Sequence, residues 1–160
     1  MQSSSSARRL VVVGVDGSEQ SVAALRWALT EGSRPGDTIR AITVIGSDDL
    51  LPGTSFAVQP YGRHPVPPLG FSLTELVTEL RREGLGDRYL EADTGRGDPA
   101  TALLTAAAEA DLLAVGTHRG GAVKELLMGS VATECVRRAS CPVTVINPVA
   151  AKRLAPAATD

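Results

Sequence analysis

The stretch that decides the fold is residues 116–130, which read GTHRGGAVKELLMGS. It follows an apolar run at residues 112–115 that is typical of a buried strand, and a helical pattern comes after it. Glycines in a turn between strand and helix let the main chain approach an anion, and the positive end of the helix dipole attracts that anion. The basic residues His118, Arg119 and Lys124 belong to the same turn. The stretch therefore predicts a phosphate site, with a nucleotide as the expected carrier.

Outside this stretch, strand patterns and helix patterns alternate along the chain. Ser18 and the pair Asp98-Pro99 are typical of helix N-termini. Such alternation indicates right-handed crossovers and a mostly parallel sheet with helices on both faces. Strands are expected at residues 9–16, 39–45, 88–92, 111–117 and 143–146, and helices after Ser18 and at about 71–83, 98–109 and 130–139.

The expected ligand position follows from this topology. In a doubly wound sheet a ligand binds beyond the carboxyl ends of the strands, where the winding direction reverses. The first strand ends at Asp16 and the fourth at Thr117, so the two residues share one crevice if these strands are neighbours. Residues 46–70 hold five prolines and four glycines without periodicity. This composition predicts a long loop at the same edge of the sheet as the crevice. The loop is either a lid over the ligand or a mobile surface loop without a role in ligand binding.

Composition narrows the class of protein. The chain has 160 residues, enough for one domain, and its formal net charge of -2 without a basic block argues against a nucleic-acid partner. No apolar run approaches the ~20 residues that span a bilayer, so no membrane partner is expected. Cys135 and Cys141 fit neither a disulfide framework nor a zinc site, and we expect buried thiols in a reducing cytoplasm. Residues 1–8 lack the apolar core of a signal peptide and are expected to be disordered.

Better-known nucleotide and catalytic patterns do not fit. A P-loop needs a lysine and a hydroxyl residue where Ala122 and Val123 stand. Residues 95–100, GRGDPA, match the dinucleotide fingerprint, but the carboxylate of Asp98 occupies the helix N-terminus that a pyrophosphate would need. Asp98 is better explained as a helix cap. Since no nucleophile elbow, carboxylate pair or metal-ligand cluster is recognisable, we expect a binding protein that is at most a weak ATPase.

Three segments resemble the universal stress protein family. They are VVVGVDGSEQSVAALRWA at residues 11–28, ADLLAVGTHRGGAVKELLMGSV at 110–131 and CPVTVI at 141–146. The resemblance covers about residues 9–148. It implies a single-domain Rossmann-like sandwich of the adenine nucleotide alpha hydrolase-like type, with a five-stranded parallel sheet in the order 3-2-1-4-5 and about four helices. Residues 149–160 would then form a C-terminal tail.

The chain departs at one position from the phosphate motif of that family, which is written G-x2-G-x9-G-[ST]. Gly116 and the pair Gly129-Ser130 stand at the family's separation, but Arg119 occupies the second glycine position and Gly120 comes one residue late. If position 119 needs a positive φ or open space, Arg119 disfavours or blocks ATP binding. If it does not, the guanidinium offers a charge-assisted contact to phosphate. We favour retained nucleotide binding.

The resemblance also implies further ligand contacts. Asp16 would hold ribose or adenine, the alternative being a turn residue hydrogen-bonded to Ser18. Gly14 would pack beneath the nucleotide or else relieve strand–helix crowding, and the backbone of Val44 would read adenine unless Val44 belongs only to the core. Ser130 would donate to phosphate, cap the helix, or do both. The expected cofactor-binding residues are Gly14, Asp16, Val44, Gly116, Thr117, His118, Arg119, Gly120, Gly129, Ser130 and Val131.

The function implied is a cytoplasmic adenine-nucleotide binding protein in stress response or signalling, whose nucleotide state is sensed by partners. ATP, with or without Mg²⁺, is the expected ligand, and AMP or a cyclic nucleotide stays open. The alternative is a nucleotide-independent dimeric scaffold with a degenerate ATP site. The family implies a homodimer through the edge formed by the last strand, Val143, Thr144, Val145 and Ile146. If residues 150–160 fold back over that edge instead, the chain is a monomer.

Overall fold

The computed structural model describes residues 7–45, 71–85, 89–117 and 128–157. The predicted loop at residues 46–70 lies outside these ranges, as do residues 118–127 of the glycine-rich turn. Along the described chain, strands and helices alternate in the order β1 (Leu10–Gly14), α1 (Glu19–Thr30), β2 (Thr38–Ile45), α2 (Leu73–Arg82), β3 (Tyr89–Arg96), α3 (Pro99–Ala106), β4 (Leu112–Gly116), α4 (Ser130–Arg138), β5 (Val143–Ile146) and α5 (Pro148–Leu154).

The strands form one parallel sheet in the order β3-β2-β1-β4-β5, which confirms the predicted Rossmann-like α/β fold. β1 lies at the centre, with Val12 opposite Arg40 on β2 and opposite Leu113 on β4. The chain winds outward from β1 through β2 to β3, and then in the other direction through β4 to β5. The winding therefore reverses between β1 and β4, as a ligand site beyond their carboxyl ends requires.

The core is divided between the two faces of the sheet. Val11, Val13 and Val15 pack with α1, α2 and α5 on one face, and Val12 packs with α3 and α4 on the other. All these valines are buried. A strand covered by helices on both faces needs apolar residues at successive positions, which explains the unbroken valine run in the sequence.

The helix caps predicted from the sequence are present at two of the described helices. Ser18 is the N-cap of α1, where its side chain accepts a hydrogen bond from Ser21 N at 3.2 Å. Asp98 is the N-cap of α3, where Oδ2 accepts from Thr101 N at 2.9 Å. Asp98 thus caps its own helix, which agrees with the interpretation of residues 95–100 as a helix start and not as a dinucleotide fingerprint.

The C-terminal segment differs from the prediction. The C-terminal tail expected over residues 149–160 is wrong for residues 149–154, because Pro148–Leu154 forms a fifth helix beside the four expected. Asn147 caps this helix by accepting from Ala150 N at 2.8 Å, and Pro148 fits its first turn. Ala151 and Leu154 join the core on the α1 face. The cap at Asn147 and the packing of Ala151 and Leu154 thus extend the ordered chain beyond β5, where the sequence pattern alone indicated a tail.

Asp37 ties the amino ends of the strands together. It lies just before β2, is 4% exposed, and accepts hydrogen bonds from Arg34 N at 2.8 Å and from Arg9 N at 3.2 Å. The Arg9 guanidinium adds bonds of 3.1 Å from Nε and 2.8 Å from Nη2. Burial by itself would raise the pKa of the Asp37 carboxyl, but the bonds from Arg34 and Arg9 outweigh it and hold that pKa below its ordinary value.

We predict that Asp37→Asn lowers the free energy of unfolding at pH 7 by about 1–3 kcal/mol, because it removes the buried charge opposite Arg9 and replaces one of the two acceptor oxygens by an amide NH₂ group. Since the folded-state pKa is depressed, this contribution is present above the unfolded Asp pKa of about 3.9 and is lost as the pH falls through the folded-state value. Urea unfolding of both proteins between pH 7 and pH 3 measures the difference. The exposed Asp93→Asn change serves as the control, and a difference that grows toward acid pH would contradict the assignment.

Candidate ligand site

A cleft of about 250 Å³ opens beyond the carboxyl ends of β1 and β4, where the winding reverses. This volume lies just below the roughly 300–1,000 Å³ typical of small-molecule sites. The cleft is lined by every predicted site residue that the structure describes, namely Gly14, Asp16, Val44, Gly116, Thr117, Gly129, Ser130 and Val131. The other predicted residues, His118, Arg119 and Gly120, lie outside the described part of the chain.

One half of the cleft is apolar. Ile42 and Val44 come from β2, Leu103 and Pro99 from α3, and Val115 from β4. Ile42, Leu103 and Val115 are buried, so they form the floor between the sheet and α3. An apolar wall of this kind suits the face of a flat aromatic or heteroaromatic ring.

The end of β2 brings backbone groups to the same half of the cleft. Ile45 O accepts a hydrogen bond from Gly97 N on the β3 side. Because backbone groups of successive strand residues point to opposite neighbours, the amide and carbonyl of Val44 point toward β1. The pairing of β1 with β2 ends at Gly14 and Ile42, followed by one bond from Val15 N to Ile42 O. The Val44 backbone is therefore directed at the space beyond the end of β1.

Asp16 provides the acidic group of the cleft. Its Oδ1 accepts from Ser18 N at 2.8 Å, and Gly17 between them has a φ of 87°. This arrangement is an Asx turn, which fixes one carboxylate oxygen on the main chain. A carboxylate has about four acceptor positions, so one turn hydrogen bond leaves capacity for a ligand. The alternative predicted for Asp16, a bond to Ser18, is thus present together with its place in the cleft.

The N-terminus of α4 forms the other polar end. Gly129 is its N-cap, with φ of -63° and no side-chain cap hydrogen bond, and Ser130 is the first helical residue. The expectation that Ser130 caps this helix is therefore wrong. Gly129 N donates to Thr117 O at 2.7 Å and is committed to closing the turn. The amides directed out of the first turn belong to Ser130, Val131 and Ala132, which lack acceptors within the helix and lie along the cleft.

Two glycines of the site are required by packing. A Cβ on Gly116 would lie 2.8 Å from Gln20 Cβ and 3.0 Å from backbone atoms of Gln20 and Ser21, in the first turn of α1. A Cβ on Gly14 would instead meet the flexible end of Leu103, at 2.8 Å from Cδ1. Strand–helix crowding, the alternative predicted for Gly14, is thus observed, although Gly14 also lines the cleft.

The two glycines lead to a contrast in stability. We predict that Gly116→Ala lowers the free energy of unfolding by about 1–3 kcal/mol, because the added methyl group meets helix backbone that has no room to move. Gly14→Ala should cost clearly less, since the Leu103 side chain can rotate away. Thermal and urea unfolding of both variants test the order. Equal losses, or a larger loss for Gly14→Ala, would contradict the packing described at Gly116.

Charges and thiols near the cleft limit its chemistry. Among the described residues that line it, Asp16 carries the charged side chain. Burial raises the pKa of the Cys135 thiol to about 11, and burial also raises the pKa of Cys141, so both thiols are protonated at neutral pH.

Within residues 7–45, 71–85, 89–117 and 128–157, no cluster of three or more His, Cys, Asp or Glu side chains is placed to hold a metal ion. The helices of those ranges include none long and apolar enough to cross a membrane.

Sequence reasoning missed several residues that complete the cleft. Ile42 lies two positions before Val44 and therefore on the same face of β2, which alternation along a strand would have revealed. Pro99 and Leu103 are four residues apart on α3, so helical spacing places them together once the sheet order is known. Ser21 belongs to the first turn of α1, and no sequence signal distinguished it from an ordinary helix residue.

Fold and cleft together define a doubly wound α/β protein with a ligand site at the reversal of its sheet. The sequence profile described as the universal stress protein family matches residues 7–147. The chain belongs to the universal stress protein family.

Relatives with known sequences agree with this assignment. A universal stress protein of Mycobacterium tuberculosis is 30% identical over 148 residues, which cover 86% of this chain and 47% of the relative. One of Mycolicibacterium smegmatis is 31% identical over 159 residues, covering 92% of this chain and 48% of the relative. The chain thus spans about half the length of the curated relatives that it matches.

Solved structures agree on the fold. A universal stress protein crystallised in complex with cAMP superposes with a TM-score of 0.60 at 25% identity, over 89% of this chain and 98% of that protein. A family member from Arabidopsis thaliana with AMP bound gives a TM-score of 0.56 at 21% identity, over 86% of this chain and 90% of its own.

Proposed function

We propose that the chain binds an adenine nucleotide, with ATP as the ligand, and acts in stress response or signalling through partners that sense the nucleotide state. The observation that carries the proposal is the cleft at the sheet reversal, which has an apolar wall, a carboxylate and a helix N-terminus along one space. The similar universal stress protein in complex with cAMP supports an adenine nucleotide as the ligand class.

The chemistry of the cleft gives each part of a nucleotide a place. Adenine would lie against Ile42 and Leu103, with its polar edge on the backbone of Val44. The ribose hydroxyls would donate to the free acceptor positions of Asp16. The first phosphate would lie at the amides of the first turn of α4, where the helix dipole favours an anion.

A triphosphate requires more positive charge than the described lining residues provide. That lining carries the negative charge of Asp16 and uncharged donors, so additional cations must come from elsewhere to hold the β- and γ-phosphates. His118, Arg119 and Lys124 supply such side chains in the sequence that joins β4 to α4. A Mg²⁺ ion would enter on the phosphates, as this ion usually does, with a carboxylate and waters completing its coordination. AMP and a cyclic nucleotide, which carry one phosphate, remain the competing ligands.

The test is a binding measurement on Gly129→Val, combined with mass spectrometry of any nucleotide released on denaturation. Because φ at Gly129 is -63° and ψ is 162°, valine fits the backbone and the fold should persist. We predict that its branched side chain, placed in the cleft, weakens ATP binding by at least about tenfold, equivalent to ~1.4 kcal/mol. Calorimetric titration with ATP, AMP and cAMP makes the comparison.

Ala108→Val is the matched control, since it adds a branched side chain at an exposed position after α3. Equal ATP affinity in Gly129→Val and the wild type would remove the α4 N-terminus from the site. A wild type that binds none of the three nucleotides would favour the alternative function, a nucleotide-independent scaffold in which Arg119 blocks the phosphate turn. The two free thiols, Cys135 and Cys141, support the cytoplasm as the proposed compartment.

We also propose a homodimer that forms through β5. This strand is at the edge of the sheet, and β4 pairs with it on one side. Leu113 N donates to Pro142 O, and Thr117 N donates to Ile146 O. Since the pattern repeats every second residue, the backbone groups of Thr144 also point to β4, whereas those of Val143 and Val145 point to the open edge. A second copy would pair antiparallel there, Val143 with Val145 of the other chain, around an axis at Thr144.

We predict that the Val145→Pro variant no longer forms the dimer. Proline removes an amide that faces the open edge and leaves the ladder with β4 intact, as edge strands tolerate. Light scattering at micromolar concentration should give the mass of two chains for the wild type and one chain for the variant. Val145→Thr, which keeps the amide, should remain dimeric. A wild-type mass of one chain would rule the proposal out.

A further inference from the structure

Ser21, in the first turn of α1, connects the helix to the Asp16 turn. It is 3% exposed, and its hydroxyl makes two hydrogen bonds to the main chain. The Oγ atom accepts from Asp16 N at 3.2 Å and donates to Ser18 O at 2.9 Å. Ser21 also lines the cleft, so the hydroxyl lies where the chain passes from β1 into the ligand site.

The Ser21 hydroxyl has no hydrogen left to donate to a ligand. A serine hydroxyl has one hydrogen to donate, and Ser21 uses it on Ser18 O. Its acceptor bond is the one from Asp16 N. The side chain is therefore bonded to the backbone at both ends of the Asx turn, and its effect on a ligand that needs a donor is exerted through the residues that it holds.

Helix initiation does not account for the Ser21 hydroxyl. Ser18 Oγ already caps α1 by accepting from Ser21 N at 3.2 Å. The first helical bond, from Val22 N to Ser18 O at 3.0 Å, is also in place. The contacts that depend on Ser21 Oγ are those to Asp16 N and Ser18 O, the two ends of the Asx turn, so its removal acts on the turn that carries the carboxylate.

The geometry points to Ser21 as the residue that positions Asp16 for the ribose hydroxyls. The Asp16 main chain is held by Ser21 Oγ, and one carboxylate oxygen is held by Ser18 N at 2.8 Å. Two anchors on one residue restrict both the direction of its Cα–Cβ bond and the rotation of its carboxylate. The remaining acceptor positions are thereby fixed before a ligand enters, which lowers the entropic cost of binding. This inference rests on the proposed function, in which Asp16 receives the ribose.

The experiment compares the affinities for ATP and 2′,3′-dideoxy-ATP, which lacks both hydroxyls. In the wild type, ATP should bind about tenfold more tightly or better, since the hydroxyls donate to a charged acceptor. In Asp16→Asn the amide oxygen still serves the turn, but an amide nitrogen replaces the second acceptor, and the ratio should approach one. Ser21→Ala should lower the ratio at least about threefold while the dideoxy-ATP affinity stays within about twofold.

Two further variants separate positioning from stability. Ser21→Cys fills the space of the hydroxyl with a slightly larger thiol that is a weak acceptor, and it should lower the ratio like Ser21→Ala even if alanine perturbs folding. Ser72→Ala removes a serine hydroxyl at the start of another helix, the N-cap of α2, which accepts from Glu75 N at 3.3 Å, and it should destabilise the protein without changing the ratio.

Several outcomes would overturn the inference, and they differ from failure of the proposed function. If Asp16→Asn abolishes the discrimination while both Ser21 variants keep it, Ser21 has no positioning role. If the Ser21 variants weaken both ligands equally, the residue is structural. A wild type that binds the two ligands equally would remove ribose from Asp16 and the inference with it, whereas a wild type that binds neither would refute the nucleotide function itself.

Discussion

The structure depends on the close contact between the end of β4 and the first turn of α1. Gly116 permits it, because any side chain at that position would meet backbone atoms of Gln20 and Ser21 at 3.0 Å. On the opposite face, Gly14 at the end of β1 makes room for Leu103 of α3. Each helical layer thus approaches the sheet at a glycine on a different strand. The same two glycines lie in the cleft, so the packing that closes the fold also shapes the site.

The position of the ligand site follows from the hydrogen-bonding groups that this packing leaves without a partner in their own turn or helix. The turn at Asp16 uses one carboxylate oxygen for Ser18 N, and α4 begins at Gly129 without a side-chain cap. The acceptor and the donors therefore line the same cleft. A ligand that complements both carries hydroxyl donors and an anion. A nucleotide carries both, together with a flat ring for the apolar part of the lining.

Sequence patterns predicted the parts of the fold that rest on local chemistry. The valine run of β1, the caps Ser18 and Asp98, and the sheet order came from periodicity, capping and the family resemblance. The features that were missed depend on tertiary contacts. Ala151 and Leu154 of Pro148–Leu154 pack on the α1 face, and α4 has Gly129 as its cap, whose amide bonds Thr117 O. Both contacts join residues far apart in sequence, although Asn147 and Pro148 carry a local helix-start signal like that of Asp98-Pro99.

Two aspartates show why burial alone does not identify a functional carboxylate. Asp37, at the amino ends of the strands, accepts four hydrogen bonds from Arg9 and Arg34, which engage both of its carboxylate oxygens. Within the described part of the chain, the hydrogen bond that reaches the Asp16 carboxylate comes from Ser18 N. Asp37 is the more buried of the two, but its charge is paired with the Arg9 guanidinium. The carboxylate with one hydrogen bond lies at the carboxyl end of the sheet, at a residue whose main chain is held by Ser21 Oγ. A carboxylate that is rigid but incompletely hydrogen-bonded is the one suited to bind.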